Sequence, residues 1–410
     1  MPFVLPSICV ALPVLNEFEN LPVFLENIRA QDYRGPISLF ACVNQPEEWW
    51  QMPDKQHICE NNRQSIEFLN QQNGFSIHII DRSSKNKGWQ GRQHGVGHAR
   101  REVMQAIENI AHNEDIIISL DADTGFRSGY FSSVVSNLRQ HPQYTALSVP
   151  YYHKLTGNPL ADRAILRYEI YMRAYAINLM RIDSPYAFTA LGSAIALTVK
   201  NYKSIGGITP KMSGEDFYFL QKLRKKGEIL CWNSEKVYPA ARFSDRVYFG
   251  TGPAMILGAS GDWSSYPVYA YQWFDEIRET YKLFAPLYAK DICTPLDEFL
   301  SETYVGEKIW QNLRQHAASQ GRFVRACHEK IDGLRVLQFL KWRQKQYPVR
   351  DEGNLSDFIT TFYPDAEAIQ LLDINKFSFS LSPIKALDSL RNFLAEKEAD
   401  QQKSLFNALG

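Results

Sequence analysis

The sequence predicts an α/β fold: a doubly wound, mostly parallel sheet followed by a mainly α-helical C-terminal extension. Two observations carry that reading. Four short apolar runs, Ile8 to Val14, Ile37 to Val43, Phe75 to Ile80 and Ile116 to Leu120, are separated by helix-like stretches, and repeated strand–helix alternation gives a parallel sheet. From Asp262 onward strand signals fade and aromatic, helix-like segments take over, such as Trp273 to Tyr281, Phe323 to Tyr347 and Ile384 to Glu398. A boundary near residue 255 therefore divides the chain into residues 1–255 and 256–410.

Composition narrows the classes. The 410 residues are 45% hydrophobic and 22% charged, the balance of a chain that buries a core rather than one that stays disordered. Lysine and arginine equal aspartate and glutamate in number, so the formal net charge is zero. That argues against nucleic acid and anionic membrane surfaces as partners. The six cysteines are scattered with no Cys-x-x-Cys pair, which fits core thiols of a reducing compartment better than a zinc ribbon or a disulfide framework. No segment has the roughly 18 apolar residues of a membrane span, and the first residues lack the basic start of a signal peptide. The expectation is a cytoplasmic protein.

Taken in order, Ile8 to Val14 is the first strand, and Leu15 to Pro22 leads into a helix with Asn20 as its N-cap and Pro22 in the first turn. Gly35-Pro36 breaks the chain before the second strand, which ends at Asn44. Between the third and fourth strands, Lys85 to Arg101 combines glycines and cations at the entry to a helix, a pattern suited to a loop near phosphates. Lys87 is its expected donor-side contact. The glycines miss the dinucleotide-binding spacing. His94 and His98 are four apart, but the glutamate of the helical zinc motif is missing.

Ile116 to Leu120 is β-branched and apolar, suiting a strand buried on both faces. It ends in Asp121-Ala122-Asp123. Ligands of open α/β sheets gather outside the carboxyl ends of strands, and residues i and i+2 of a strand share a side. The pair can aim two hard oxygen donors at one Mg²⁺ or Mn²⁺ ion that shares a diphosphate; equally, such a tripeptide can simply open a turn. A helix over Phe126 to Arg139, a strand over Thr145 to Pro150 and a long helix over Leu160 to Ile182 follow. In Ser213 to Gly227, Ser213 or Gly214 caps a helix that starts with Glu215 and Asp216 and ends in cations and a glycine. Carboxylates in a first turn complement the helix dipole. One held there can also take the proton of an attacking hydroxyl.

Four motifs in this order, PVLNE at residues 13–17, SLDADT at 119–124, LGSAIALTVKNYKSIGG at 191–207 and GEDFYFLQKLRKKG at 214–227, resemble those of the family 2 glycosyltransferases of the GT-A fold. The resemblance covers roughly residues 8–252 and leaves out the C-terminal part. It implies a nucleotide-diphosphate sugar donor, a saccharide or other hydroxyl acceptor, a divalent metal (Mn²⁺ or Mg²⁺) and inversion at the anomeric carbon by a hexosyl-transferring enzyme. By position, Pro13, Asn16 and Glu17 meet the nucleotide. Asp121 contacts ribose and metal, Asp123 is the metal ligand on the diphosphate, Gly192 and Ser193 line the acceptor side, and Glu215 accompanies the general base Asp216. Arg246 is expected to assist the leaving diphosphate. The second strand ends in Asn44 where the family commonly has an aspartate at the base, and the Gln-x-x-Arg-Trp motif of processive members is absent, so a non-processive enzyme is expected. A sugar-phosphate nucleotidyltransferase would carry a Gly-rich, basic signature after the first strand, where Leu15 to Glu19 stand instead. A non-catalytic nucleotide- or glycan-binding module would have damaged acidic residues, and Asp121, Asp123 and Asp216 are intact.

Overall fold

In a computed structural model that describes residues 5–91, 93–212, 214–244, 250–365 and 377–408, the apolar runs become strands of one sheet. The strands are β1 (Ile8–Val14), β2 (Ile37–Asn44), β3 (Ser76–Arg82), β4 (Ile116–Ser119), β5 (Gly125–Phe126), β6 (Tyr144–Ser148), β7 (Ile195–Thr198), β8 (Glu228–Leu230) and β9 (Val237–Tyr238). Seven of them form the main sheet in the order β3-β2-β1-β4-β7-β6-β8. β1, β2, β3 and β4 run parallel, whereas β7 is antiparallel to both β4 and β6. Chain order reverses between β1 and β4, so the ligand-gathering switch point of a doubly wound sheet lies outside the carboxyl ends of these two strands.

Strand β1 is buried along its whole length, as a parallel strand covered on both faces must be. Pro13 is tolerated inside it for a geometric reason. Ser7 and Ala11 carbonyls face β4, where they accept from the Ile116 and Leu120 amides at 2.9 and 3.1 Å, so the odd-numbered residues point that way. The register with β4 stops at Ala11 opposite Ser119. The nitrogen of Pro13 therefore lies beyond the end of its neighbour, and no ladder bond is lost.

Helix α1 (Leu21–Arg29) follows β1, with Asn20 at the N-cap position; its side chain makes no cap bond and donates to the Glu17 carboxylate instead. Helix α2 (Gln56–Asn70) precedes β3, and α3 (Val96–Ile110) precedes β4. The helix expected from Phe126 begins at Tyr130 as α4 (Tyr130–Gln140), because Gly125 and Phe126 pair with Tyr238 and Val237 in a separate two-stranded sheet. Helices α5 (Pro159–Arg181), α6 (Val199–Ser204) and α7 (Glu215–Lys226) complete this part of the chain, with α8 (Thr251–Ala259) after them. The cap expected from Ser213 falls outside the described residues, and Gly214, at φ 71°, occupies the N-cap of α7.

The chain divides into two compact units. The first comprises Met1–Ile165, Phe188–Ser260 and Leu405–Gly410, and holds the sheet; the second comprises Leu166–Ala187 and Gly261–Ser404. The second unit is helical, with α9 (Tyr271–Leu287), α10 (Asp297–Thr303), α11 (Ile309–His316), α12 (Gln320–Lys330), α13 (Gly333–Gln346), α14 (Asp351–Phe362) and most of α15 (Ile384–Ala408). The stretch Phe323 to Tyr347 is two helices, since Asp332 accepts from the Arg335 amide and starts α13 anew. Its core gathers Phe274, Ile277, Phe284, Leu300, Phe323, Phe339 and Leu340. A buried ion network joins Arg173 to Glu169 and Glu398, and Arg391 to Glu169 (3.1 Å) and Asp388. No helix among the described residues is long and apolar enough to cross a membrane.

Candidate functional site

The residues that the motifs single out meet at the switch point, and a residue that they do not include organises them. Arg100 lies on α3 among the buried positions Ala99, Val103, Met104 and Ile107, so its guanidinium points into the sheet rather than to water. Its side chain is 2% exposed. Nε donates to Glu215 Oε1 at 3.2 Å, Nη2 to Asp121 Oδ1 at 3.0 Å, and Nη1 to the Gly192 carbonyl at 3.0 Å and to Ser119 Oγ. Ser119 Oγ donates in turn to the Gly192 carbonyl at 2.7 Å. Burial opposes the charge, but Asp121 and Glu215 outweigh it and raise the guanidinium above its ordinary value. One arginine thus fixes the end of β4, the loop before β7 and the first turn of α7 through charge-assisted bonds.

Two glycines make room for this. A Cβ at Gly192 would stand 2.5 Å from Arg100 Nη2, and a Cβ at Gly97 would run into the backbone of Lys211, with its nitrogen at 2.7 Å. The backbone at Gly192, expected on the acceptor side, is packed closely against Arg100. Ser193 beside it is buried.

At the first residues of α7, Glu215 is buried and turned to Arg100, while Asp216 is partly exposed. The Phe217 amide donates to Asp216 Oδ1 at 2.7 Å. Burial, then the neighbouring charge of Glu215, push the Asp216 carboxyl up to about 7, against the pull of Arg100. A carboxylate poised there is a proton acceptor matched to neutral pH.

The end of β1 supplies the other side. Asn16 adopts φ 56°, in the left-handed region that asparagine tolerates, and its amide donates to Asn62 Oδ1 at 2.9 Å. Glu17 is buried, and its carboxylate accepts from Arg242. The same Arg242 nitrogen lies 2.6 Å from Asp123 Oδ2. Asp123 and Glu17, with a smaller contribution from Asp121, overcome burial and hold the Arg242 guanidinium above its ordinary value. Arg246, the other arginine of that loop, falls outside the described residues.

Two expected donor contacts are engaged elsewhere. Asn44 is buried, its amide donating to the Val14 carbonyl at 2.9 Å while its oxygen faces Trp89 Nε1 at 3.4 Å. Lys87 pairs with Asp81 at 3.0 Å on an exposed rim. His94 precedes α3 rather than sharing its face with His98. Among the described residues, no three His, Cys, Asp or Glu side chains are gathered as a ready metal cage. Among the described residues, the site gathers five acidic groups, Glu17, Asp121, Asp123, Glu215 and Asp216, around Arg100 and Arg242. Asp121 has a side-chain exposure of 38%, so part of that acid is open to solvent. This donor set fits a hard divalent ion that takes two aspartates from the protein and its remaining ligands from water and phosphate.

No family model matches the chain and no curated protein matches it significantly. Solved structures similar to it include a mannosyltransferase from Pyrobaculum calidifontis in complex with GDP-Man and Mn²⁺, at 14% identity over 80% of this chain and 88% of that one, TM-score 0.38. GalNAc-T7 with UDP, GalNAc and Mn²⁺ is 12% identical over 89% of this chain and 59% of its own, TM-score 0.36. Glucosyl-3-phosphoglycerate synthase from Mycobacterium tuberculosis with UDP is 11% identical over 62% of this chain and 80% of its own, TM-score 0.32.

Proposed function

We propose that the protein is a non-processive, metal-dependent glycosyltransferase of the GT-A fold, moving one hexosyl group with inversion from a nucleotide-diphosphate sugar to an acceptor hydroxyl in glycan or glycoconjugate biosynthesis. The observation that carries this reading is the joining of Asp216, raised to about 7, through Glu215 and Arg100 to Asp121 at the switch point.

On this reading, Asp216 accepts the proton of the acceptor hydroxyl as its oxygen attacks the anomeric carbon, and the bond from that carbon to the diphosphate oxygen breaks on the opposite face. A hydroxyl is a poor nucleophile until a base takes its proton, which is worth about 10² to 10⁴ in rate. A divalent ion held by Asp123 and Asp121 would neutralise charge on the departing diphosphate. Arg100 keeps Glu215 and Asp121 in fixed positions, so base and donor site hold their geometry together. Pro13, Asn16 and Glu17 border the nucleotide, and Gly192 and Ser193 the acceptor. The buried thiols of Cys9, Cys42, Cys59 and Cys327 suit a reducing, cytoplasmic setting.

The test combines calorimetry with a variant. Titration with UDP, GDP, CDP and dTDP, each with and without Mn²⁺, is expected to show one nucleotide binding tightly only when the metal is present. Asp216→Asn is expected to keep that binding while transfer falls by about 10² to 10⁴; wild-type transfer rises as pH climbs through about 7, because the base works ionised. Binding of none of the four nucleotides, or native transfer by Asp216→Asn, would overturn the proposal.

A further inference from the structure

The two arginines of the site are held very differently. Arg100 is locked by four acceptors and is almost fully buried, whereas the Arg242 side chain is 32% exposed. Residues 239–244, which carry Arg242, belong to neither helix nor strand. Its two partners, Glu17 and Asp123, stand after β1 and β4 on either side of the switch point, and Asp123 is one of the two expected metal ligands. The guanidinium therefore covers the carboxylate that a divalent ion would use.

We infer that Arg242 is a displaceable counter-cation: it holds Asp123 and Glu17 in place while the donor site is empty, and yields Asp123 to the divalent ion when metal and nucleotide diphosphate arrive. This rests on the metal-dependent reading above and adds an order of events to it. Without Arg242, Asp123 and Glu17 would lose the counter-charge they share and repel each other. With it, their geometry is kept, but an ion entering alone must break a charge-assisted bond at 2.6 Å and finds few protein ligands in exchange. An ion arriving with a diphosphate brings phosphate oxygens as further ligands. The released guanidinium, a planar fork with five donors, then finds phosphate oxygens on the same ligand. Metal and nucleotide thus assist each other's binding, and by linkage each raises the affinity of the other by the same factor.

The experiment counts free Mn²⁺ by the electron paramagnetic resonance of the hydrated ion, for wild type, Arg242→Gln and Arg242→Lys, with and without UDP or GDP, whichever binds. Wild type is expected to hold Mn²⁺ weakly alone and much more tightly with nucleotide. Arg242→Gln is expected to hold Mn²⁺ alone about tenfold more tightly than wild type, and to lose most of the nucleotide-dependent gain. Arg242→Lys keeps the charge, stays near wild type without nucleotide, and shows a smaller gain with it, since a point charge replaces the fork. The Lys variant also guards against misfolding, as does a near-native thermal melt of Arg242→Gln. Equal Mn²⁺ affinity of wild type and Arg242→Gln without nucleotide would overturn the inference and leave the transferase reading standing. Absence of Mn²⁺ binding by all three proteins, even with nucleotide, would overturn both.

Discussion

The two units each bury arginine–carboxylate clusters, and the clusters differ in kind. In the helical unit, Arg173 and Arg391 meet Glu169, Glu398 and Asp388, and the side chains of Arg173, Arg391, Glu169 and Glu398 are at most 5% exposed. In the sheet unit, Arg100 is as deeply buried, but it reaches Asp121, more than a third exposed, and stands beside Asp216, whose proton is held to about 7. The same residue types thus build a closed brace in one place and an open, frustrated charge array in the other. The closed cluster suits a structural role; a carboxylate held near neutrality at a solvent-facing edge suits the base role proposed for Asp216.

The comparison can be broken at its closed end first. Arg391→Met should lower stability by about 3 to 5 kcal/mol, because Glu169 keeps its charge in the interior with one partner fewer. A denaturant titration measures this, and a change below about 1 kcal/mol would remove the distinction between brace and array. At the open end, Gly192→Ala should cost about 1 to 3 kcal/mol, since the new methyl group presses on a guanidinium already fixed by four acceptors. Transfer should fall more than stability does, because the shift is passed to Asp121 and Glu215. The last test concerns pH. Asp216 rises from 3.8 to about 7 on folding, so between these values the folded state binds more protons than the unfolded one, and stability falls as pH rises. Asp216→Asn lacks that loss. Its melting temperature should match wild type near pH 4 and exceed it above pH 7; equal melting temperatures at both would show that Asp216 is not strained.

The sequence makes the acidic residues legible and hides the cations that manage them. Asp121 and Asp123 close a buried apolar run, and Glu215 and Asp216 open a helix, so local pattern alone marks them. Arg100 has a local signal too, a cation on the stripe shared with Val103, Met104 and Ile107, but an Arg-Arg pair at a helix start looks like a solvated face until the stripe is drawn. Arg242 looks the same whether it binds a diphosphate or a carboxylate; only its long-range partners decide. Asn44, at a strand end where a base contact is expected, is turned inward by the Val14 carbonyl, which no local pattern reveals. The parallel core was readable from its unbroken apolar strands. The antiparallel direction of β7 was not, because four residues of small and apolar character carry no sign of orientation, and β5, β8 and β9 are only two or three residues long.

The missing side chain at Gly97 has a reach beyond packing. A Cβ there would meet the backbone of Lys211, so α3 and the segment that leads into α7 approach each other main chain to main chain. How near the helix of Arg100 comes to the chain carrying Glu215 and Asp216 is thus limited there by backbone contact, not by the rotamer of a side chain at position 97.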